Sequence, residues 1–367
     1  MEKQWESLKK YLPSGIEEKA RELKVISRGR EIKTADDLLA LNMLYVTGGG
    51  SFQSVSEMMR LTAGISVNKN AVRKRIMSSW PLLQWISQEI CHTQGFSLPQ
   101  PEWLNGKSVI MADASDITLQ SSKGSDYRLH YAFDLFRFEC REIELTTAKE
   151  GEKLSRYTVK ESDIFIGDRC YCTLSGMEHI LGNGGSFLLR YRSNAFAIYT
   201  EGGVRIDIVS QARHLKAFES VDLRCFYKLS DGTLRPLRMV VIRKDEKAIE
   251  ETLRKMKRTA VRRQRSAPKP ETIEINQYIV LATNLEHTNA QISELYRTRW
   301  QIEQVFYRLK HLFGLGIINA SNPNTVKAWF YGKLMIAALC EAIIKGKSFS
   351  PAQKRLLFDF ASPKRLE

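Results

Sequence analysis

The chain has 367 residues, of which 43% are hydrophobic and 10% aromatic, and this composition supports two or three domains and excludes wholesale disorder. Its 56 Lys and Arg residues against 41 Asp and Glu residues give a formal net charge of +15, which indicates a polyanionic partner. No apolar run approaches the roughly 18 residues of a membrane-spanning helix, and the charged N-terminus lacks a signal-peptide pattern, so neither a membrane protein nor a secreted protein is expected.

Residues 1–100 are predicted to form an all-helical N-terminal domain, because apolar residues recur every three or four positions. Within it, Ser51 is placed to cap one helix, residues 63–65 form a turn, and a second helix spans 68–76. This order is typical of a helix-turn-helix. The second helix carries four basic residues: Lys69, Arg73, Lys74 and Arg75. It is either a helix that reads a DNA groove or an ordinary solvated face, and the sequence leaves both open.

Short apolar runs typical of β-strands follow a proline-bearing linker at 97–102. They predict a mixed α/β core built from residues 101–194 and 275–345. Residues 195–274 alternate apolar and polar side chains between turn signals, which predicts a β-rich insertion ending in a basic helix. A short C-terminal tail at 346–367 completes the predicted layout. The predicted strands of the core are 109–112, 129–136, 143–146, 164–167, 187–191 and 278–282.

The basic helix at 245–263 carries more positive charge than its own acids balance. A solvated face is the ordinary explanation for such a run, but this excess favours contact with phosphate groups. Its basic residues are Lys247, Arg254, Lys255, Lys257, Arg258, Arg262 and Arg263.

Six cysteines are scattered through a chain too long to need disulfide staples, which indicates a reducing cytosol. Only Cys170 and Cys172 lie close together, and without a second Cys or His pair at zinc-like spacing they do not predict a zinc site. The six histidines lie far apart in sequence and are interpreted as structural or surface residues.

Two acids each follow an apolar run of four residues: Asp113 after 109–112 and Asp168 after 164–167. Continuous apolar runs suit strands covered on both faces, and α/β folds place their sites where such strands emerge. If the two strands are neighbours, the carboxylates converge and repel unless a cation lies between them. Hard oxygen ligands of this kind suit Mg²⁺ or Mn²⁺, so the sequence predicts a metal site.

A long helix is predicted at 289–313, and one face of it carries Tyr296, Arg299, Glu303 and Lys310. At about 100° per residue these four side chains lie within an arc of roughly 60°, beside an arc of apolar residues that packs inward. The helix therefore presents an acid among cationic and phenolic donors. Taken alone, this pattern is usually a solvated mix of charges.

These four residues, with two, three and six residues between them, match the YREK signature of the IS4 family of DDE transposases. Two further strings support the resemblance: Asp-Ala-Ser at Asp113 resembles the family's first motif, and Gly-Asp-Arg-Cys-Tyr at Asp168 resembles its second motif, Asp-Arg-Gly-Tyr. Asp168 follows Asp113 by 55 residues and Glu303 follows Asp168 by 135, a long gap like that made by the family's β-strand insertion. The likeness runs from about residue 107 to 315, with a looser one in the helical N-terminus.

The resemblance implies an RNase H-like catalytic domain with a β-strand insertion. It implies that Asp113, Asp168 and Glu303 are catalytic and bind two Mg²⁺ ions, for which Mn²⁺ can substitute. Tyr296, Arg299 and Lys310 would bind phosphates of double-stranded DNA at the terminal inverted repeats. The implied activity is cleavage at element ends and strand transfer into target DNA, with hairpins at the flanking ends, by a dimer in the bacterial cytoplasm at the nucleoid.

The chain departs from the family pattern at Cys170, which stands where the second motif has Gly. A second departure concerns the aromatic residue that relatives use to hold a flipped base, because no Trp occurs between Trp103 and Trp300. The candidates for that role are Tyr199, Phe226, Tyr227 and Tyr278.

Two other acids compete with the predicted ligands. Asp116 lies three residues beyond Asp113, but it does not abut the apolar strand. Asp163 precedes its strand and is therefore expected at the opposite edge of the sheet from Asp168.

Two rival functions also remain at this point: an RNase H-like nuclease that cuts without joining, and a DNA-binding regulator that has lost the chemistry.

Overall fold

The computed structural model describes residues 8–26, 31–93, 98–137, 139–192, 195–262 and 266–346. The predicted C-terminal tail lies outside the described residues except for Gly346, and so do residue 97 of the predicted linker and Arg263 of the basic helix. Within the described ranges, no helix is both long and apolar enough to cross a membrane. All six cysteines are free.

Within the described ranges, the helices α1 (Ile16–Glu22), α2 (Ala35–Thr47), α3 (Phe52–Ala63) and α4 (Lys69–Thr93) precede the first strand. Ser51 caps α3 as predicted, since its hydroxyl accepts a hydrogen bond from the Ser54 amide at 3.2 Å, and Gly64 ends the helix with a φ of 68°. The predicted second helix does not stop at residue 76 but continues to Thr93 through Pro81. The basic segment is thus the first two turns of a 25-residue helix.

The later helices are α5 (Leu174–Gly182), α6 (Ile208–Ala212), α7 (Glu246–Arg262), α8 (Pro270–Ile275), α9 (Asn289–Arg297), α10 (Trp300–Tyr307) and α11 (Pro323–Gly346). The strands are β1 (Ser108–Leu119), β2 (Tyr127–Asp134), β3 (Glu139–Thr147), β4 (Asp163–Gly167), β5 (Ser186–Arg190), β6 (Ile198–Tyr199), β7 (Ser220–Lys228), β8 (Leu234–Arg243), β9 (Tyr278–Thr283) and β10 (Ile317–Ile318).

These strands form one sheet in the order β3-β2-β1-β4-β5-β9-β8-β7-β6, with β10 pairing with the end of β1. The first three strands are antiparallel neighbours, whereas β1, β4 and β5 run parallel. This order and these directions are the RNase H-like arrangement, so the predicted fold class is confirmed. The strands of the insertion pair with β9 through β8 and thereby extend the core sheet.

The sheet separates two apolar cores. Side chains of Val109 and Met111 belong to the core that includes α2, α4, α10 and α11, whereas Ile110 and Ala112 belong to the core that includes α5 and α6. This alternation follows from the two-residue period of a strand. The N-terminal helices share the first core with α11, and the Ser87 hydroxyl on α4 donates to the Tyr331 carbonyl on α11.

Asp163, the competing acid, begins β4 and so lies at the opposite edge of the sheet from Asp168, as predicted. Its side chain is fully buried and accepts two hydrogen bonds from the Arg141 guanidinium, at 2.7 and 2.8 Å. The Lys160 amide donates a third at 2.7 Å. Asp163 is therefore a structural anchor of the β3–β4 connection.

Asp163→Asn is expected to lower the free energy of unfolding by about 3–5 kcal/mol, because it leaves the partly buried Arg141 without its counter-charge. The matched control is Asp116→Asn, whose exposed ion pair with Arg128 predicts a change of about 1 kcal/mol or less. Urea denaturation of both variants measures the difference. Equal effects of the two substitutions would contradict the assignment of Asp163 as an anchor.

Candidate active site

The register of two parallel strands sets Asp113 and Asp168 side by side. β1 and β4 pair from Ser108 with Asp163 to Met111 with Ile166, an offset of 55 residues. Asp113 and Asp168 have the same offset, two positions beyond the last pair. By the two-residue period of a strand, Asp113 lies on the face of Met111, which is the face that α10 covers, whereas Asp168 follows the last residue of β4.

Asp113 does not lie at the end of its strand, as the apolar run predicts, because β1 continues to Leu119. The strand that ends at this level is β4, which leaves the sheet after Gly167. The apolar run stops at Ala112 because the next residues of β1 are less well covered by the rest of the protein. Asp113, Ala114 and Ser115 are only partly buried. Asp113 is thus at the inner corner where the two strands separate.

The Asp113 carboxylate is poorly solvated. One oxygen accepts a hydrogen bond from the Ala114 amide at 2.8 Å, and the other lies 3.5 Å from Nη1 of Arg299. Burial raises the pKa of Asp113 to about 7; Ala114 and Arg299 lower it only in part, and the charge of Asp168 raises it further. A group of this kind is stabilised as an anion by a bound cation.

A fourth acid, Glu152, lies beside Asp168. Carboxylate oxygens of Glu152 and Asp168 and Sγ of Cys170 all lie within 4.8 Å of one another. Burial and then the charge of Asp168 raise the pKa of Glu152. Sequence reasoning missed Glu152, because it lies in the loop after β3 and no periodicity or motif distinguishes it from its neighbours.

The substitution of Cys170 for the family glycine does not disturb the turn. Asp168 Oδ1 accepts a hydrogen bond from the Cys170 amide at 2.8 Å, and the Tyr171 amide donates to the Asp168 carbonyl at 3.3 Å. Cys170 does not adopt a positive φ, so this backbone conformation does not require glycine.

The predicted long helix at 289–313 is interrupted. α9 ends at Arg297, α10 begins at Trp300, and residues 308–312 form a π-helical turn. At the break the Thr298 hydroxyl donates to the Leu295 carbonyl at 2.7 Å, and this side-chain bond competes with the helical backbone pattern. The regular 100° spacing assumed for Tyr296 through Lys310 is therefore wrong at two places.

Arg299, at this break, connects the strand acid with the helix acid. Its Nη1 lies 3.5 Å from Asp113 Oδ2, and its Nη2 lies 2.5 Å from Glu303 Oε1. Glu303 is about half exposed, with 46% of its side chain accessible. Across the described ranges, the group with ligand atoms within 4.8 Å is the one around Glu152 and Asp168, so Glu303 does not approach both aspartates that closely.

Tyr296 and Lys310 have different surroundings. Tyr296 is 7% exposed, its hydroxyl has no hydrogen-bond partner among the described residues, and the charged groups that act on it include Arg299 and Asp168. Burial lowers the pKa of Lys310, and the acid that opposes this shift is Asp116. The structure therefore brings Arg299 to the acids and Tyr296 near them, whereas Lys310 is associated with Asp116.

The aromatic candidates for holding a flipped base differ in exposure. Tyr227 is fully buried and its hydroxyl donates to Glu178, and Tyr278 is 2% exposed. Tyr199 and Phe226 are partly exposed and lie directly opposite each other on β6 and β7. Of the four candidates, Tyr199 and Phe226 are therefore the two that are partly exposed to solvent.

A family model described as "Transposase DDE domain" matches residues 104–339, well over half of the chain. The chain belongs to the DDE transposase family. It is 26% identical over 343 residues to the transposase of insertion sequence element IS421 from Escherichia coli, covering 91% of each protein. It is 21% identical over 386 residues to the transposase of IS231F from Bacillus thuringiensis subsp. israelensis, covering 92% of this chain and 79% of that protein.

A structural likeness to the catalytic domain of human endonuclease V covers 65% of this transposase and 98% of that domain. Its TM-score is 0.27 with 10% identity, and no conclusion depends on it. The insertion-sequence relatives are IS4-family transposases, so the resemblance found in the sequence is confirmed. The protein is a DNA transposase, and its family membership implies the use of a divalent metal.

Asp113→Asn is expected to stabilise the metal-free transposase near neutral pH and above. The Asp113 pKa of about 7 lies above the ordinary aspartate value of 3.8, so its contribution to stability is complete below about pH 4 and is lost as the pH rises through about 7. Between about pH 5 and about pH 8 the wild type should lose on the order of 1 kcal/mol or more relative to Asp113→Asn. Urea unfolding in EDTA measures this difference, and superimposable pH profiles would contradict it.

Proposed function

We propose that this transposase cuts the ends of its element and joins them to target DNA at Asp113, Asp168 and Glu303. The observation that carries the proposal is the shared register of Asp113 and Asp168, with Arg299 joining Asp113 to Glu303. Residues distant in sequence are thereby gathered at one edge of the sheet. Mg²⁺ is the proposed cofactor, with Mn²⁺ as a substitute and two ions in the working site.

The donor set fits a hard divalent cation. The ligand atoms are carboxylate oxygens, Asp113 is destabilised as an isolated anion, and Glu152 adds negative charge next to Asp168. When bound, the metal supplies activation of water or a DNA 3′-hydroxyl and stabilisation of the leaving oxygen. Glu303 is half exposed on α10, so a side-chain rotation towards Asp113 completes the ligand set without moving the core.

Arg299 takes two partners in this proposal. Without metal, its guanidinium neutralises Asp113 and Glu303 together. Once a metal neutralises these acids, the same guanidinium is free to bind a DNA phosphate, for which its planar donor geometry is suited. The buried, unpartnered Tyr296 hydroxyl supplies a second donor to that phosphate, and Lys310 binds a phosphate farther along near Asp116.

The remaining parts of the chain bind the rest of the DNA. We assign residues 1–100 to the recognition of the terminal inverted repeats, with Lys69, Arg73 and Lys74 exposed at the start of α4. Tyr199 and Phe226 are the candidates for holding a flipped base. By family resemblance, we expect the transposase to act as a dimer on two paired ends and to form hairpins at the flanking ends. Its substrate would be the DNA of the bacterial nucleoid.

Asp113→Asn, Asp168→Asn and Glu303→Gln are each expected to reduce cleavage of a cognate end by roughly 100-fold or more, since each removes a ligand of the metal. The matched control is Asp116→Asn, which should keep most of the activity. The assay combines purified protein, Mg²⁺ or Mn²⁺ and labelled DNA carrying the repeats that flank the gene, and it scores both 3′-hydroxyl ends and joined products.

The same assay separates the rival functions. A nuclease would release 3′-hydroxyl ends without joined products, and a regulator without chemistry would bind the ends but not nick them. Retention of cleavage by Asp113→Asn, or its loss in Asp116→Asn with normal folding, would overturn the assignment of the acids.

A further inference from the structure

Three cations gather at the sheet edge beside Asp168. Arg169 follows β4, Arg190 is the last residue of β5, and Lys244 follows β8. β4 and β5 are parallel, and β8 runs in their direction because both β5 and β8 are antiparallel to β9. The three strands therefore end at the same edge of the sheet, and their terminal side chains converge there.

Contacts with one residue, Asn276, confirm this convergence for two of the cations. Nη2 of Arg169 donates to Asn276 Oδ1 at 2.9 Å, and Nζ of Lys244 donates to the Asn276 carbonyl at 2.7 Å. Lys244 also donates to the Thr252 hydroxyl on α7 at 3.0 Å. All of these acceptors are neutral, so they fix the positions of the cations without neutralising their charge.

The positive charge of the cluster is only partly offset, by the nearby charge of Asp168, which acts on Arg169. Among the described residues, no carboxylate forms an ion pair with Arg169, Arg190 or Lys244, and the Arg190 side chain has no hydrogen bond. The Nε atoms of both arginines are buried without a partner. Burial, followed by the charges of Arg190 and Arg169, lowers the pKa of Lys244 to about 8.

Like charges and unpartnered N–H groups held together in a half-buried site are destabilising unless an anion fills it. We propose that Arg169, Arg190 and Lys244 bind a phosphate group of the DNA backbone next to Asp168. The inference rests on the proposed function and deepens it, because it adds a phosphate site to the one formed by Arg299. Tyr296 is the shared neighbour of the two sites, since Arg299, Arg169 and Arg190 all act on its phenol.

The neighbouring helix indicates that the ligand is a DNA strand. α7 contacts Lys244 through Thr252 and is 17 residues long, about 26 Å. From residue 254 to its end at 262 the helix has five basic residues and no acid, and Val261 at its tip is 79% exposed. A polyanion that leaves the cation cluster towards the C-terminal half of α7 meets positive charge along residues 254–262.

Lys244→Gln in the full-length protein is expected to weaken binding of a fluorescent duplex end about tenfold in EDTA, and to reduce the slope of log affinity against log salt by about one. The matched control, Lys228→Gln, removes the same charge from the exposed end of β7 and should leave both quantities unchanged. Lys244→Arg should retain binding because it keeps the charge. Equal behaviour of Lys244→Gln and Lys228→Gln would overturn the inference.

Arg190→Gln provides a second variant if Lys244→Gln does not fold, because the buried Nε of Arg190 has no hydrogen-bond partner among the described residues. The same tenfold loss is expected, and unchanged binding would contradict the proposal. Inorganic phosphate at constant ionic strength should compete only weakly with the duplex, whereas complete competition would indicate a site for a free anion instead. Because binding is measured without metal, these outcomes are independent of catalysis. If the wild-type protein neither cut nor joined DNA, the proposed function would be contradicted, whereas the inferred phosphate site would not.

Discussion

The pairing of β1 with β4 is the constraint on which the active site depends. Their parallel register brings Asp113 and Asp168 to one level of the sheet, and Asp113 lies under the helices that follow β9. Asp113 is largely buried at this position, so the fold brings like charges together where water screens them poorly. The surrounding cations and hydrogen bonds stabilise the carboxylates that this arrangement brings together.

Arg299 provides the most direct stabilisation, because its guanidinium neutralises both Asp113 on the sheet and Glu303 on the helix. A bound metal would neutralise the same two acids, so Asp113 and Glu303 can have either the metal or the Arg299 guanidinium as their main partner, but not both. On the other side of Asp168, no ion pair among the described residues holds Arg169 or Lys244, and we propose that their charge is available to DNA. In this proposal, one edge of the sheet carries a metal-binding region beside phosphate-binding regions, which suits an enzyme that acts on a polyanion through a cation.

The sequence predicted the parts of this site that depend on local pattern. Both acids follow continuous apolar runs that mark buried strands, although β1 continues past Asp113 and only Asp168 lies beyond the end of its strand. Asp163 could be told apart from Asp168 because it lies at the start of β4. The helix break was not predictable from hydrophobic spacing, since it depends on the Thr298 hydroxyl bonding to Leu295. Glu152 and Lys244 were missed because they lie in segments distant in sequence from the motifs. Only the folded chain brings them to the site, and hydrophobic periodicity gives no sign of such contacts.

The central claim is that the three acids together bind the two metal ions once Arg299 releases them. Its most direct measurement is a crystal structure with a cognate DNA end and Mn²⁺, using anomalous scattering to locate the ions. The account predicts manganese peaks coordinated by Asp113, Asp168 and Glu303, with the Arg299 guanidinium turned to a DNA phosphate. Manganese bound without Glu303, with Arg299 still bridging Asp113 and Glu303, would contradict it.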